Sequence, residues 1–132
     1  MLFRSQADPD GRFDHPDDPR GPRRTDGFRG FGRSCTDEHG TWEVLTLKPG
    51  SLPAEEGFEA PHVDVSVFAR GLLHRLITRI YFEDEADLNA ADPTLSTVEP
   101  GRRPTLVAQR DDRGYSFDVQ LQGDDETVFF DV

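Results

Sequence analysis

Apolar and polar residues alternate most clearly at 62–67, where three valines alternate with His62, Asp64 and Ser66. Successive side chains of an extended chain point to opposite faces, so the valines face one side and the three polar groups the other. The pattern predicts a β-strand whose polar face carries a histidine and a carboxylate two residues apart.

The same kind of alternation predicts four further short strands, at 42–47, 76–82, 105–109 and 115–122. The first of them changes phase midway, as a bulge would allow. The last follows a turn sequence at 111–114 and is predicted to be the second strand of a hairpin. The strand at 76–82 is apolar on both sides, so Arg79 within it must reach an edge or a partner.

The sequence predicts only short helices. A helix is predicted at 83–89, and Asp92 followed by Pro93 offers a cap and a first-turn proline. Residues 6–30 are rich in Asp, Arg, Gly and Pro, which predicts a long surface loop, or a segment that orders on a partner. Short strands separated by Gly- and Pro-containing turns indicate an all-β sandwich over residues 31–132.

Composition narrows the class of protein. A chain of 132 residues fits one small domain, and a net charge of -11 argues against a nucleic-acid partner, which requires a basic surface. No apolar run reaches membrane-spanning length, so no membrane partner is expected either. The single cysteine cannot form an internal disulfide, and we expect a cytoplasmic location.

Several stretches resemble, in order, the intradiol ring-cleavage dioxygenases. They are residues 6–16, 31–33, 47–50, 60–71, 78–82, 117–123 and 126–131. The resemblance implies the β-sandwich fold of that family and one core domain at 6–132. It begins abruptly at Gln6, whereas family members carry a further amino-terminal portion. We therefore interpret residues 1–5 as a spurious or non-native start and expect the sandwich to be incomplete on its amino-terminal side.

The family holds ferric iron with two tyrosinates and two histidines, presented in a Lys-Pro-Gly-x-Tyr context and a His-x-His strand. Here Leu52 stands in place of that tyrosine, His62 keeps the first histidine and Asp64 replaces the second. Glu59 takes the position of an arginine close to the substrate. Without phenolate donors the +3 state of iron is poorly stabilised. The resemblance thus implies no metal and no catalytic residue in this chain, although a weaker alternative keeps a metal on His62 and Asp64.

The closest resemblance is to the iron-free alpha subunits of two-subunit family members. It implies a beta subunit that carries Fe(3+), and an active site at the subunit interface where 3,4-dihydroxybenzoate is cleaved with O2 between its hydroxyls. It also implies that Arg70 reaches toward the substrate, where a guanidinium could bind the substrate carboxylate. The alternative for Arg70 is an exposed arginine in a surface ion pair.

Other functions stay open at this point. The chain could be a non-enzymatic β-sandwich interaction module or a degenerate paralogue without an active partner. A self-contained catechol or hydroxyquinol dioxygenase is a weaker possibility, since the ligand tyrosines are absent. The isolated chain is expected to be inactive, and the oligomer size is left open.

Overall fold

The computed structural model describes residues 1–13, 29–55 and 57–131. Its strands are β1 (Leu2–Ser5), β2 (Phe31–Ser34), β3 (Leu52–Pro53), β4 (Phe58–Glu59), β5 (His62–Val67), β6 (Leu76–Phe82), β7 (Val107–Asp111) and β8 (Gly114–Ser116). Its helical segments are a 3₁₀ helix at Glu83–Glu85, the α-helix α1 (Ala86–Ala91) and 3₁₀ helices at Leu95–Thr97 and Pro100–Leu106. None of these helices is long and apolar enough to cross a membrane.

Six strands form the main sheet in the order β2-β1-β5-β6-β7-β8, and β3 and β4 form a separate two-stranded sheet. Most neighbours are antiparallel, but β6 and β7 are parallel. Parallel neighbours need a crossover connection, which the helical chain between Phe82 and Val107 supplies. The all-β class predicted from the sequence is confirmed.

A second core cluster packs around Tyr81 and consists of Ala60, Tyr81, Leu95, Val98 and Leu106. The larger cluster lies on the face of the main sheet that carries the valines of β5. The buried residues of this cluster are Leu2, Val63, Val65, Val67, Ile80, Phe82 and Ala108. Trp42, Phe117 and Val119 pack against it and form a covering layer. The alternation at 62–67 therefore predicted the faces of β5 correctly.

Three predicted strands are wrong in extent. The strand predicted at 105–109 lies at Val107–Asp111, because residues 105 and 106 end the 3₁₀ helix at Pro100–Leu106. Residues 42–47 form no strand. The Gln6 side chain binds the end of this stretch instead. It donates to the Leu47 carbonyl at 2.6 Å and accepts a hydrogen bond from the Thr46 hydroxyl at 2.9 Å. The predicted strand at 115–122 ends at Ser116.

A local loop replaces the second half of the predicted strand at 115–122. The backbone N–H of Gln120 donates to the Thr127 hydroxyl at 2.8 Å, and the Thr127 N–H donates to the Gln120 carbonyl at 2.9 Å. These two hydrogen bonds satisfy both backbone groups of Gln120 without a sheet partner. Phe117 and Val119 still pack against the core, whereas Tyr115 and Leu121 are exposed. The apolar pattern therefore predicted burial for the two middle positions only.

The predicted short helix is confirmed. The segment predicted at 83–89 forms the 3₁₀ turn at Glu83–Glu85 followed by α1. The Leu95 N–H donates to Asp92 Oδ1 at 2.8 Å, as expected of a capping Asp92. The proline prediction is wrong, because the 3₁₀ helix begins at Leu95 and Pro93 precedes it.

The described beginning of the expected 6–30 loop is not on the surface, because Gln6, Ala7 and Asp8 are buried. Residues 14–28 of that loop lie outside the described part of the chain. Residues 2–5 form β1, which pairs with both β2 and β5. The interpretation of residues 1–5 as a non-native start stays a prediction.

Two stretches that carry the family resemblance meet at Gly50. Its N–H donates to the Asp8 carbonyl at 2.9 Å. A Cβ on Gly50 would collide with the Pro9 carbonyl and lie 2.8 Å from the backbone nitrogen of Gly11. The loop that leads into β3 can therefore approach residues 8–11 only with glycine at this position.

Replacing Gly50 by alanine should lower the free energy of unfolding by about 1 to 3 kcal/mol, because the backbone must separate to admit the methyl group. Gly101→Ala is the matched control, since a Cβ there meets nothing within 4 Å. Urea denaturation of both variants measures the difference. Equal stability of the two variants would contradict the close approach.

Candidate functional site

Leu52, which the resemblance places at a tyrosine position of the family, lies in the small two-stranded sheet. Leu52 of β3 is buried and pairs with Glu59 of β4. His62, three residues after Glu59, begins β5. The loop before β3 thus brings Leu52 to the same end of the main sheet as the histidine.

Lys48 anchors the loop that leads into β3. Its ammonium lies 2.6 Å from Glu85 Oε1 and 3.3 Å from Asp84 Oδ2, and it sits 5.4 Å above the centre of the Phe82 ring. Burial alone would lower the pKa of Lys48, but its hydrogen bonds to Glu85 and Asp84 raise it above the usual value. The charged form of Lys48 therefore fastens the Lys-Pro-Gly motif to the helical crossover.

Pairing of β5 with β6 sets the neighbours of the two polar residues on β5. His62 stands opposite Tyr81, and Asp64 stands opposite Arg79. Because β5 and β6 are antiparallel neighbours, the side chains of each opposed pair share one face of the sheet. This face lies opposite the valine core.

The guanidinium of Arg79 lies between two carboxylates. Its Nε is 3.1 Å from Asp64 Oδ1, and its Nη1 is 3.5 Å from Glu59 Oε1 and 3.5 Å from the Tyr81 hydroxyl. Burial alone would lower the pKa of Arg79. The Tyr81 hydrogen bond and the charges of Asp64 and Glu59 outweigh burial and raise that pKa above its usual value. Arg79 is thus a permanent cation at this end of the sheet.

His62 is fixed by its own backbone neighbourhood. Its side chain is only 2% exposed, and Nδ1 lies 2.8 Å from the Ala60 carbonyl. A carbonyl oxygen can only accept, so Nδ1 is the donor of this hydrogen bond. Nε2 is 3.8 Å from Asp64 Oδ1, which is too far for a hydrogen bond.

Asp92 completes the network beneath these residues. Its side chain is fully buried and accepts the Ala60 N–H at 2.8 Å, the Leu95 N–H at 2.8 Å and the Tyr81 hydroxyl at 3.0 Å. Burial raises the pKa of Tyr81 above its usual value, and the charge of Asp92 raises it further. Tyr81 is therefore a neutral hydrogen-bond donor.

Ferric iron of the family type does not fit this arrangement. Leu52 offers no donor atom, and the raised pKa of Tyr81 disfavours the phenolate that the ion would need. The Arg79 cation also lies beside Asp64. Within residues 1–13, 29–55 and 57–131, no group of three His, Cys, Asp or Glu side chains is placed to hold a metal ion.

Arg70 lies apart from this cluster. It is exposed in the turn after β5, and no described residue pairs with it. His62 and Val67 stand at opposite ends of β5, roughly 17 Å apart at about 3.3 Å per residue. The structure does not bring Arg70 together with His62 or Asp64, and its substrate-binding role stays a prediction.

Sequence reasoning missed the network of Arg79, Tyr81 and Asp92. One signal was present: a charged residue within an otherwise apolar strand requires a partner. The identity of that partner depends on which residues the crossover and β4 bring alongside, and local pattern does not contain this information.

Comparison with known proteins places residues 4–123 within a family model described as Dioxygenase. The protocatechuate 3,4-dioxygenase alpha chain of Burkholderia cepacia is 48% identical over 139 aligned positions, which cover 100% of this chain and 68% of that protein. The alpha chain of Pseudomonas putida is 46% identical, with 79% of this chain and 55% of that protein covered. The beta chain of Burkholderia cepacia is 31% identical, with coverage of 92% and 56%.

Replacing Asp92 by alanine should lower the free energy of unfolding by about 3 kcal/mol or more, because three buried donors lose their acceptor. Asp87→Ala, an exposed acid in the first turn of α1, is the control and should cost less than about 1 kcal/mol. Urea denaturation of both variants tests this. Similar losses would show that the Asp92 network is not a main stabilising contact.

The raised pKa of Tyr81 predicts a pH effect. As the pH rises past the ordinary value of 10.0, the unfolded chain releases the phenolic proton before the folded chain does. The stability is fully present below that pH and falls as the pH rises toward the folded pKa. Denaturation at about pH 8 and about pH 11 should show a smaller decline for Tyr81→Phe than for the parent. An equal decline would contradict the burial of this phenol.

Proposed function

The chain belongs to the intradiol dioxygenase family, and on that premise we propose that it is the iron-free alpha subunit of a protocatechuate 3,4-dioxygenase. The observation that carries the proposal is the mismatch at the family's iron position, where Arg79 and Leu52 stand among the remaining polar groups. A chain with this arrangement needs a partner for catalysis. We propose that the partner is a beta subunit that holds Fe(3+).

The proposed complex cleaves 3,4-dihydroxybenzoate with O2 between its two hydroxyls and gives 3-carboxy-cis,cis-muconate, a step of aromatic catabolism in the beta-ketoadipate pathway. The beta subunit's iron supplies the oxygen chemistry. The alpha chain shapes the pocket and supports assembly, and the isolated chain is inactive. We place this hetero-oligomer in the cytoplasm, without a nucleic-acid or membrane partner.

Arg70 is the residue that we propose to act on the substrate. Its exposed guanidinium, which no described residue of its own chain engages, is available to a group outside this chain. It also lies at the end of β5 away from His62, so its target is the pocket of the partner rather than the degenerate position of this chain. A planar guanidinium can donate two parallel hydrogen bonds to the substrate carboxylate.

The test is co-expression of the full chain with an iron-carrying beta-type chain, followed by measurement of oxygen uptake. Arg70→Ala should raise the KM for 3,4-dihydroxybenzoate about tenfold or more, since a charge-assisted hydrogen-bonded pair is lost. Arg113→Ala, an exposed arginine of the β7–β8 turn, should leave the KM unchanged.

Catechol serves as the second control because it lacks the carboxylate. Arg70→Ala should not change the kinetics of catechol cleavage by the complex. An equal loss with both substrates would contradict carboxylate recognition by Arg70. Failure of the two chains to associate would refute the alpha-subunit role and favour the interaction module or degenerate paralogue.

A further inference from the structure

We propose that the loop between β5 and β6, together with the adjoining part of β2, is the surface on which the proposed beta-type chain docks. The docking face consists of Phe31, Arg33 and residues 68–75. The surface that it fits is apolar at its centre and carries carboxylates around that centre. This inference rests on the proposed function and deepens it, because it names the contact through which the two chains assemble.

The β5–β6 loop combines exposure with an uneven composition. Every residue from 68 to 75 is exposed. The loop contains three large apolar residues and three basic ones but no acid: Phe68, Leu72, Leu73, Arg70, His74 and Arg75. Leu73 is 94% exposed, so it makes almost no contact within its own chain. Exposed apolar side chains grouped in this way mark an interaction surface.

An aromatic cluster joins this loop to the main sheet. The ring centre of Phe3 lies 5.3 Å from that of Phe68 and 5.8 Å from that of Phe31. Phe31 belongs to β2, the first strand in the order of the sheet, and is 61% exposed. The apolar part of the docking face therefore extends from the loop across β1 to β2.

Arginines lie on both sides of the aromatic cluster. Arg33 on β2 and Ser66 on β5 both stand opposite Phe3, so these three side chains share one face of the sheet. Nη1 of Arg75 lies 3.5 Å from the Ser66 hydroxyl. Arg33 is exposed, and no described residue pairs with it. The docking face is thus basic as well as apolar.

Charge decides which kind of partner fits. The whole chain carries a net charge of -11, so two copies repel each other. A symmetric contact through the docking face would also place arginines opposite arginines. A different chain that presents carboxylates is attracted instead, and it can accept hydrogen bonds from the guanidiniums of Arg33 and Arg70.

Arg70 links the docking face to the proposed active site. It lies within the loop, three residues before Leu73. A guanidinium that reaches into the pocket of the beta-type chain requires the surrounding loop to contact that chain. We expect the apolar residues of the docking face to hold the two chains together and its arginines to favour their approach.

The test uses the full chain co-expressed with an iron-carrying beta-type chain. Each chain carries a fluorescent label, and loss of energy transfer on dilution gives the Kd of the complex. Leu73→Ser should raise the Kd about tenfold or more, because an apolar side chain that is buried in the contact is lost. Leu45→Ser is the matched control, since Leu45 is 95% exposed and lies outside the docking face.

Salt separates the role of the arginines from that of the apolar residues. Arg33→Glu should raise the Kd about fivefold or more at about 0.1 M salt, and most of this effect should disappear at about 1 M salt, where the Debye length is only about 3 Å. The effect of Leu73→Ser should persist at both salt concentrations. Arg113→Glu, in the exposed β7–β8 turn, should leave the Kd unchanged.

The docking face is overturned if Leu73→Ser binds as tightly as Leu45→Ser, or if Arg33→Glu binds as tightly as Arg113→Glu at low salt. In either case the alpha-subunit role stands, provided that the parent chains associate. Failure of the parent chains to associate refutes the proposed function and the docking face together. A dimer of the free chain that Leu73→Ser disrupts and Leu45→Ser does not would assign the face to a second copy, and it would also overturn the proposal.

Discussion

A buried carboxylate must find enough donors to replace the water that it loses. Asp92 meets this requirement by joining three parts of the chain that are distant in sequence: Ala60 at the approach to β5, Tyr81 on β6 and Leu95 in the crossover. Its network holds one end of the sheet. Tyr81 extends it to Arg79, whose guanidinium contacts Asp64 on β5 and Glu59 on β4.

The two ends of β5 therefore serve different purposes. At one end, Asp64 pairs with Arg79 and lies near His62, so these side chains are engaged within the chain. At the other end, Arg70 is exposed, and no described residue of the same chain engages it. This division agrees with the proposed role, in which the chain contributes a side chain to a partner's pocket while its own family position is filled from within.

The sequence allowed the fold class, the faces of β5 and the short helical crossover to be predicted, because period and cap signals are local. It did not allow the extents of the strands at 42–47 and 115–122 to be predicted. There, side chains such as Gln6 and Thr127 take the hydrogen bonds that a sheet partner would have taken. For the site, motif positions identified Leu52, His62 and Asp64. The contacts of Arg79 could not be predicted from the sequence, because they depend on strand register and on residues that β4 and the crossover bring alongside.

The order of strands in the main sheet also bears on how the chain reaches its native state. β5 and β6 are joined by the loop at 68–75, whereas β1 pairs with β5 across a much longer stretch of chain, with Leu2 opposite Val67. Closing so long a loop costs entropy before its contacts form. We therefore expect the β5–β6 hairpin to form early and to act as the template on which β1 and then β2 dock. During synthesis, β1 must wait for its pairing with β5 until residues 62–67 have been made.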